Sequence, residues 1–151
     1  AIYEALRVRS ADSREFFEDS LSTLDGLKRR GYLLGVVSNR HYGGKPFHED
    51  LREMGLLDYF DYSHMAISAD LGVRKPHPDI FKHALNALGA LPEEAAMVGD
   101  SLRADIAGAK MLNIAAIWKP YRLHRRRHHD DETGIEPDVR IEHLRELLDM
   151  F

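Results

Sequence analysis

Met97-Val98-Gly99-Asp100-Ser101-Leu102-Arg103-Ala104-Asp105-Ile106-Ala107-Gly108-Ala109 reads as a buried strand that hands two carboxylates to the mouth of a helix. The apolar run ends at Gly99, so Asp100 falls at the carboxyl end of the strand and Asp105 in the first turns of the helix that follows. A tight turn can aim both acids at one point. Carboxylates brought together raise each other's pKa unless a cation neutralises them, and hard oxygen donors of this kind suit Mg²⁺. The plain alternative is an aspartate helix cap followed by an exposed helix acid.

Two further segments bear on that choice. Upstream, Tyr32-Leu33-Leu34-Gly35-Val36-Val37 is a short apolar run of buried-strand type that stops at Ser38-Asn39-Arg40. A hydroxyl at such a strand end can donate to an anion. Between the two strands lies Gly72-Val73-Arg74-Lys75-Pro76-His77-Pro78-Asp79-Ile80-Phe81, in which a lysine precedes two prolines that open an amphipathic helix. Taken singly, a serine such as Ser38 is more often a turn residue and a lysine such as Lys75 more often a solvated surface charge.

The remaining pattern alternates. Phe16 to Arg30 predicts a helix, with Phe17, Leu21, Leu24 and Leu27 at three- and four-residue spacing and Gly31 as its stop. A Gly-rich loop, His41 to Pro46, follows the first strand, and a short helix runs to about Met54. His64 to Ala69 is a strand, Pro78 to Leu88 a helix, Ala95 to Val98 a strand, Ser101 to Leu112 a helix, and Ile114 to Trp118 a strand. Strands separated by helices predict an α/β fold with a Rossmann-like parallel sheet, whose ligands bind outside the carboxyl ends of the strands. Ser38, the loop before Lys75, and Asp100 all belong to that edge.

Composition narrows the classes. A chain of 151 residues suits one domain, and the absence of cysteine excludes disulfides, thiolate metal sites and cysteine nucleophiles, in keeping with a cytoplasmic setting. The apolar runs are short against the roughly 20 residues that span a bilayer, so no membrane helix is expected. A net charge of −4 gives no general attraction to nucleic acid. Between Tyr121 and Asp131 a run of histidines and arginines meets Asp130, Asp131 and Glu132. It reads as a solvated loop whose charges partly cancel, with phosphate or RNA contact as the alternative.

In their order, spacing and context, the three segments resemble the haloacid dehalogenase-like hydrolases, in the subgroup related to phosphoglycolate phosphatase and 2-haloacid dehalogenase. Ser38 matches the family's second motif, Lys75 the third, and Asp100 with Asp105 the fourth. The resemblance implies a covalent mechanism in which an aspartate attacks phosphorus. Asp100 would bind Mg²⁺, with Asp105 supporting it directly or through water. Ser38, Asn39 and Arg40 would meet the phosphoryl group of a small phosphorylated substrate, and Lys75 would pair with both phosphate and nucleophile. The alternatives are a 2-haloacid dehalogenase-type hydrolase and a non-catalytic phosphate-binding or interaction module.

One departure is as informative as the match. The family's first motif, a strand ending in Asp-x-Asp, supplies the nucleophile, and no such pair follows an apolar run in this sequence. The sequence opens Ala1-Ile2-Tyr3 without methionine, and Ala1 to Arg7 reads as helix in mid-course. The expectation is therefore that residues 1–10 are the end of a helical cap or linker and residues 11–151 a core lacking its first strand and most of the cap. Such a chain would be inactive alone. By resemblance the missing strand lies between the one ending at Ser38 and the one ending near Gly99, which predicts exposed edges and poor stability.

Overall fold

The computed structural model describes residues 16–120 and 134–151. The expectations for residues 1–10 and for the His/Arg-rich stretch 121–131 lie outside the described residues. Within them, helix α1 (Ser20–Arg29) leads to β1 (Val36–Ser38), α2 (Gly44–Glu53), β2 (Met65–Ile67) and a short α3 (Ser68–Leu71). Helix α4 (Pro78–Leu88), β3 (Ala96–Gly99), a π-helical turn (Leu102–Ile106) running into α5 (Ala107–Lys110), β4 (Ala115–Trp118), β5 (Val139–Arg140) and α6 (Leu147–Met150) follow. No described helix is long and apolar enough to cross a membrane.

Every strand pairing among the described residues is parallel, as the alternation predicts. β1 pairs with β2, Val36 opposite Met65 and Ser38 opposite Ile67. β3 pairs with β4, Gly99 opposite Trp118, and β4 with β5. Among the described residues these form two sheets, with no ladder between β1 and β3. Burial follows the same division: β2 is buried throughout, whereas β1 is only half-buried and β3 runs from exposed to half-buried. In an α/β sheet covered on both faces the inner strands are normally the most buried. Here β1 and β3, the two strands next to the expected position of the absent strand, are less buried than their ladder partners β2 and β4, while the edge strand β5 is exposed.

The sheets are packed on both faces by the period-two alternation of their strands. On β4, Ala116 and Trp118 join a core with Ile80, Phe81 and Leu85 of α4, while Ile117 turns to the opposite side against Leu27 of α1, Ile141 and Leu147 of α6. On β2, Ala66 joins the first core, and Met65 and Ile67 pack with Phe47 and Leu51 of α2. At roughly 25 cal/mol per Å² of apolar surface removed from water, this two-sided burial is the dominant favourable contribution to the fold.

Several boundaries differ from the expected ones. Tyr32 and Leu33 are 44% and 66% exposed and lie outside β1, because only Val36–Ser38 meets β2. Ser68 begins a helix rather than extending β2. Its hydroxyl accepts from the Arg40 N–H at 2.8 Å and donates to the Arg40 carbonyl at 3.0 Å, which ties the turn to the loop after β1. Helix α1 begins at Ser20 rather than Phe16. The helix expected from Ser101 opens with a wider π turn, a feature often found at functional sites. Helix α4 has the expected span, with Pro78 at its first position, His77 as cap and Gly89 in the left-handed conformation at its end.

Candidate active site

Ser38, Lys75 and Asp100 all emerge on the loops that leave the carboxyl ends of β1, β2 with α3, and β3. Lys75 joins the two sheets. Its ammonium donates to the Val37 carbonyl of β1 at 2.8 Å and to Asp105 Oδ1 at 2.5 Å, and the pair is nearly sequestered, the side chains being 12% and 3% exposed. An ammonium carries three donors, so one N–H of Lys75 has no partner among the described residues.

Asn39 locks this lysine in place. Its side-chain carbonyl accepts from the Lys75 N–H at 2.8 Å, and its amide nitrogen donates to the Lys75 carbonyl at 3.2 Å. The expectation that Asn39 meets the phosphoryl group does not include this reciprocal clamp. The signal was an amide side chain directly after a strand-terminal serine, which fits a loop-to-loop tether as readily as an anion contact.

Asp105 reaches its position because the neighbouring residues are small. A Cβ on Gly99 would stand 2.4 Å from the Asp105 Cβ, Cγ and Oδ2, so the carboxylate fits only against a glycine. A Cβ on Gly108 would meet the Phe81 ring at 2.3 Å and the Pro76 Cα at 3.3 Å, so this glycine lets α5 approach the loop that carries Lys75. Asp105 Oδ2 accepts from the Ser101 N–H at 3.0 Å. Both oxygens are therefore engaged, one with the lysine and one with the turn.

Asp100 is placed differently. The cap of the following helical segment is Ser101, whose hydroxyl accepts from the Ala104 N–H at 3.1 Å, so Asp100 is not used as a cap. Its carboxylate is exposed and makes no hydrogen bond or ion pair among the described residues. Ser38, half-buried at the end of β1, likewise has a hydroxyl without a partner among them. Arg40 is engaged on another side: its guanidinium lies over the Phe47 ring at 4.8 Å.

This donor set fits Mg²⁺ in part. Mg²⁺ is commonly held by one or two carboxylates, with waters and substrate phosphate completing its shell. Asp100 offers an unengaged carboxylate, and Asp105 is tied on both oxygens. No group of three or more histidine, cysteine or acidic side chains able to hold a metal occurs among the described residues.

The model of the haloacid dehalogenase-like hydrolases matches residues 2–119, which include all of these positions. The chain belongs to that family. It is 44% identical over 101 residues to the glyceraldehyde 3-phosphate phosphatase of Pyrococcus furiosus, covering 66% of this chain and 40% of that protein. To the phosphoserine phosphatase of Thermus thermophilus it is 39% identical over 123 residues, covering 80% of this chain and 45% of the relative. Among solved structures, a HAD phosphatase from Thermococcus onnurineus superposes with a TM-score of 0.76 at 35% identity, over 98% of this chain and 63% of that one. A 2-haloacid dehalogenase from Pseudomonas syringae does so with 0.70 at 28% identity, over 89% and 52%. The chain spans about half the length of the curated relatives it matches. The haloacid dehalogenase-like fold and the α/β class expected from the sequence are thus both established.

Proposed function

We propose that this chain forms the Ser38, Lys75, Asp100 and Asp105 portion of a Mg²⁺-dependent phosphatase acting on a small phosphorylated metabolite. The observation that carries the reading is the Lys75 ammonium, held by Val37 and Asp105 with one donor left over, beside a loop whose Asp100 carboxylate has no protein partner among the described residues. Ser38 and the remaining N–H of Lys75 donate to phosphoryl oxygens, and Asn39 keeps the lysine loop in register. Charge develops on the transferring group, and preorganised donors aimed at it usually contribute more to such catalysis than any other single effect. Mg²⁺, held through Asp100, supplies neutralisation of phosphoryl charge when bound. Asp105 acts on the lysine, holding its side chain in place.

The nucleophile comes from a strand ending in Asp-x-Asp that lies outside this sequence and inserts between β1 and β3. Support for this is the missing ladder between those strands among the described residues and their lesser burial than their partners β2 and β4. The phosphatases among the relatives, and an acidic side chain suited to a cation, favour phosphate over halide displacement. Retention of Ser38, Lys75 and both acids in matching contexts argues against a non-catalytic module.

The test is phosphate release from a panel of small phosphate monoesters, glyceraldehyde 3-phosphate and phosphoserine among them. It compares the 151-residue chain with the same chain completed by an in-frame upstream segment carrying the Asp-x-Asp strand. Activity is expected only in the completed protein and only with Mg²⁺, and Asp100→Asn should lower Mg²⁺ affinity and turnover together. Unchanged metal dependence in that variant refutes the assignment.

A further inference from the structure

We infer that Trp118 is a positioning residue for Asp100, acting through the backbone of the turn that presents the carboxylate. The inference rests on the reading of Asp100 as a cation ligand. Trp118 ends β4, opposite Gly99 in the ladder, and is 8% exposed. Its indole N–H donates to the Asp100 carbonyl at 2.9 Å. On one side of that residue the Lys119 N–H donates to the Gly99 carbonyl at 2.9 Å, and on the other the Ser101 N–H donates to Asp105 at 3.0 Å.

The backbone around Asp100 is therefore fastened at three successive residues, while the Asp100 side chain itself has no partner among the described residues. Of the three fastenings, the indole bond alone acts on residue 100. Without it the peptide plane between Asp100 and Ser101 is held only through the Ser101 N–H, about which it can pivot, and the carboxylate samples directions that a cation does not use. Restricting those directions beforehand raises affinity by cutting the ordering cost of binding.

The indole is itself braced. The Arg140 guanidinium of β5, opposite Trp118 in the ladder, lies over the ring at 5.0 Å and also bonds Glu142 at 3.2 Å. The edge strand β5 thus bears on the site through one ring. Phenylalanine at 118 would fill most of the same volume and keep a face for Arg140, but would offer no N–H.

The experiment uses the 151-residue chain, whose single tryptophan gives one indole N–H signal in a ¹⁵N–¹H correlation spectrum. Mn²⁺ alone is the probe, because paramagnetic broadening of the Asp100 and Ser101 amide signals detects even millimolar binding. In the parent chain these signals broaden, and Asp100→Asn abolishes the effect. Trp118→Phe is expected to need about three- to tenfold more Mn²⁺, the range of one net hydrogen bond, at a temperature where the variant is still folded.

Equal broadening in Asp100→Asn and the parent overturns the cation reading. Loss in Asp100→Asn together with a parent-like titration in Trp118→Phe overturns the role of Trp118 alone. Should Trp118→Phe not fold, indole hydrogen exchange in the parent decides the matter. Slow exchange, with a shift of the indole signal on adding Mg²⁺, supports the inference, and exchange as fast as in a free indole overturns it.

Discussion

Replacing Asp105 by asparagine should show how much of the fold depends on the ion pair that connects its two sheets. The substitution keeps the shape of the side chain and removes its charge. Lys75 is then left as a nearly buried ammonium with no carboxylate partner among the described residues, since the pair is 12% and 3% exposed. Breaking a buried pair by removing one partner typically costs about 3 to 5 kcal/mol. The amide also cannot satisfy Lys75 and the Ser101 N–H with the same two acceptors that the carboxylate provides. We therefore expect a loss of about 3 kcal/mol, which at an m-value of about 1.5 kcal/mol/M moves the urea midpoint down by about 2 M. If the parent is less stable than that, the variant shows no cooperative transition by circular dichroism. The companion variants are Lys75→Met and the double substitution, which should recover at least about 1.5 kcal/mol relative to the sum of the single effects. A cost for Asp105→Asn within about 0.5 kcal/mol of zero, or additive behaviour in the cycle, refutes the reasoning.

Three more outcomes follow from the same geometry. Gly99→Ala should release Asp105, because its Cβ would stand 2.4 Å from the carboxylate group; the expected loss, read by urea melting, approaches that of Asp105→Asn, and a neutral effect contradicts the packing. Asp138 accepts from Lys110 at 2.6 Å and from the Ala116 N–H at 2.8 Å, and these bonds, the lysine first, hold its carboxyl below the usual 3.8. A depressed folded pKa contributes stability that is present above the unfolded pKa and lost as pH falls through the folded one, so Asp138→Asn should flatten the acid limb of the thermal midpoint below about pH 4. Tyr62 is pushed up to about 12 by burial and then by Asp70, whose carboxylate it meets at 2.9 Å. That stabilisation is complete below pH 10 and disappears as pH rises through about 12, so one tyrosine should ionise late in an ultraviolet titration and Tyr62→Phe should remove it.

Local sequence was enough to specify the alternation of strands and helices, the parallel sheet, and the positions of Ser38, Lys75, Asp100 and Asp105 near the carboxyl ends of the strands. Each of these depends on neighbours along the chain: an apolar run of strand length, a proline pair at a helix mouth, an acid directly after a strand. Only the family resemblance, not local sequence, suggested that a further strand belongs between those ending at Ser38 and Gly99, the two strands that form no ladder with each other among the described residues. The division of partners among the polar groups came from tertiary packing. The two acids read as one metal pair take different partners, Asp105 with Lys75 and Ser101, Asp100 with none among the described residues. Ser101 rather than Asp100 caps the turn, Asn39 clamps the lysine loop, and the Trp118 indole fastens Asp100 from a neighbouring strand. A carboxylate's charge and a strand's apolarity can be read from nearby residues, but a carboxylate's hydrogen-bond partner is set by which loops the packing of α4 and α5 brings together. That depends on contacts such as Gly108 against Phe81, between residues distant in sequence.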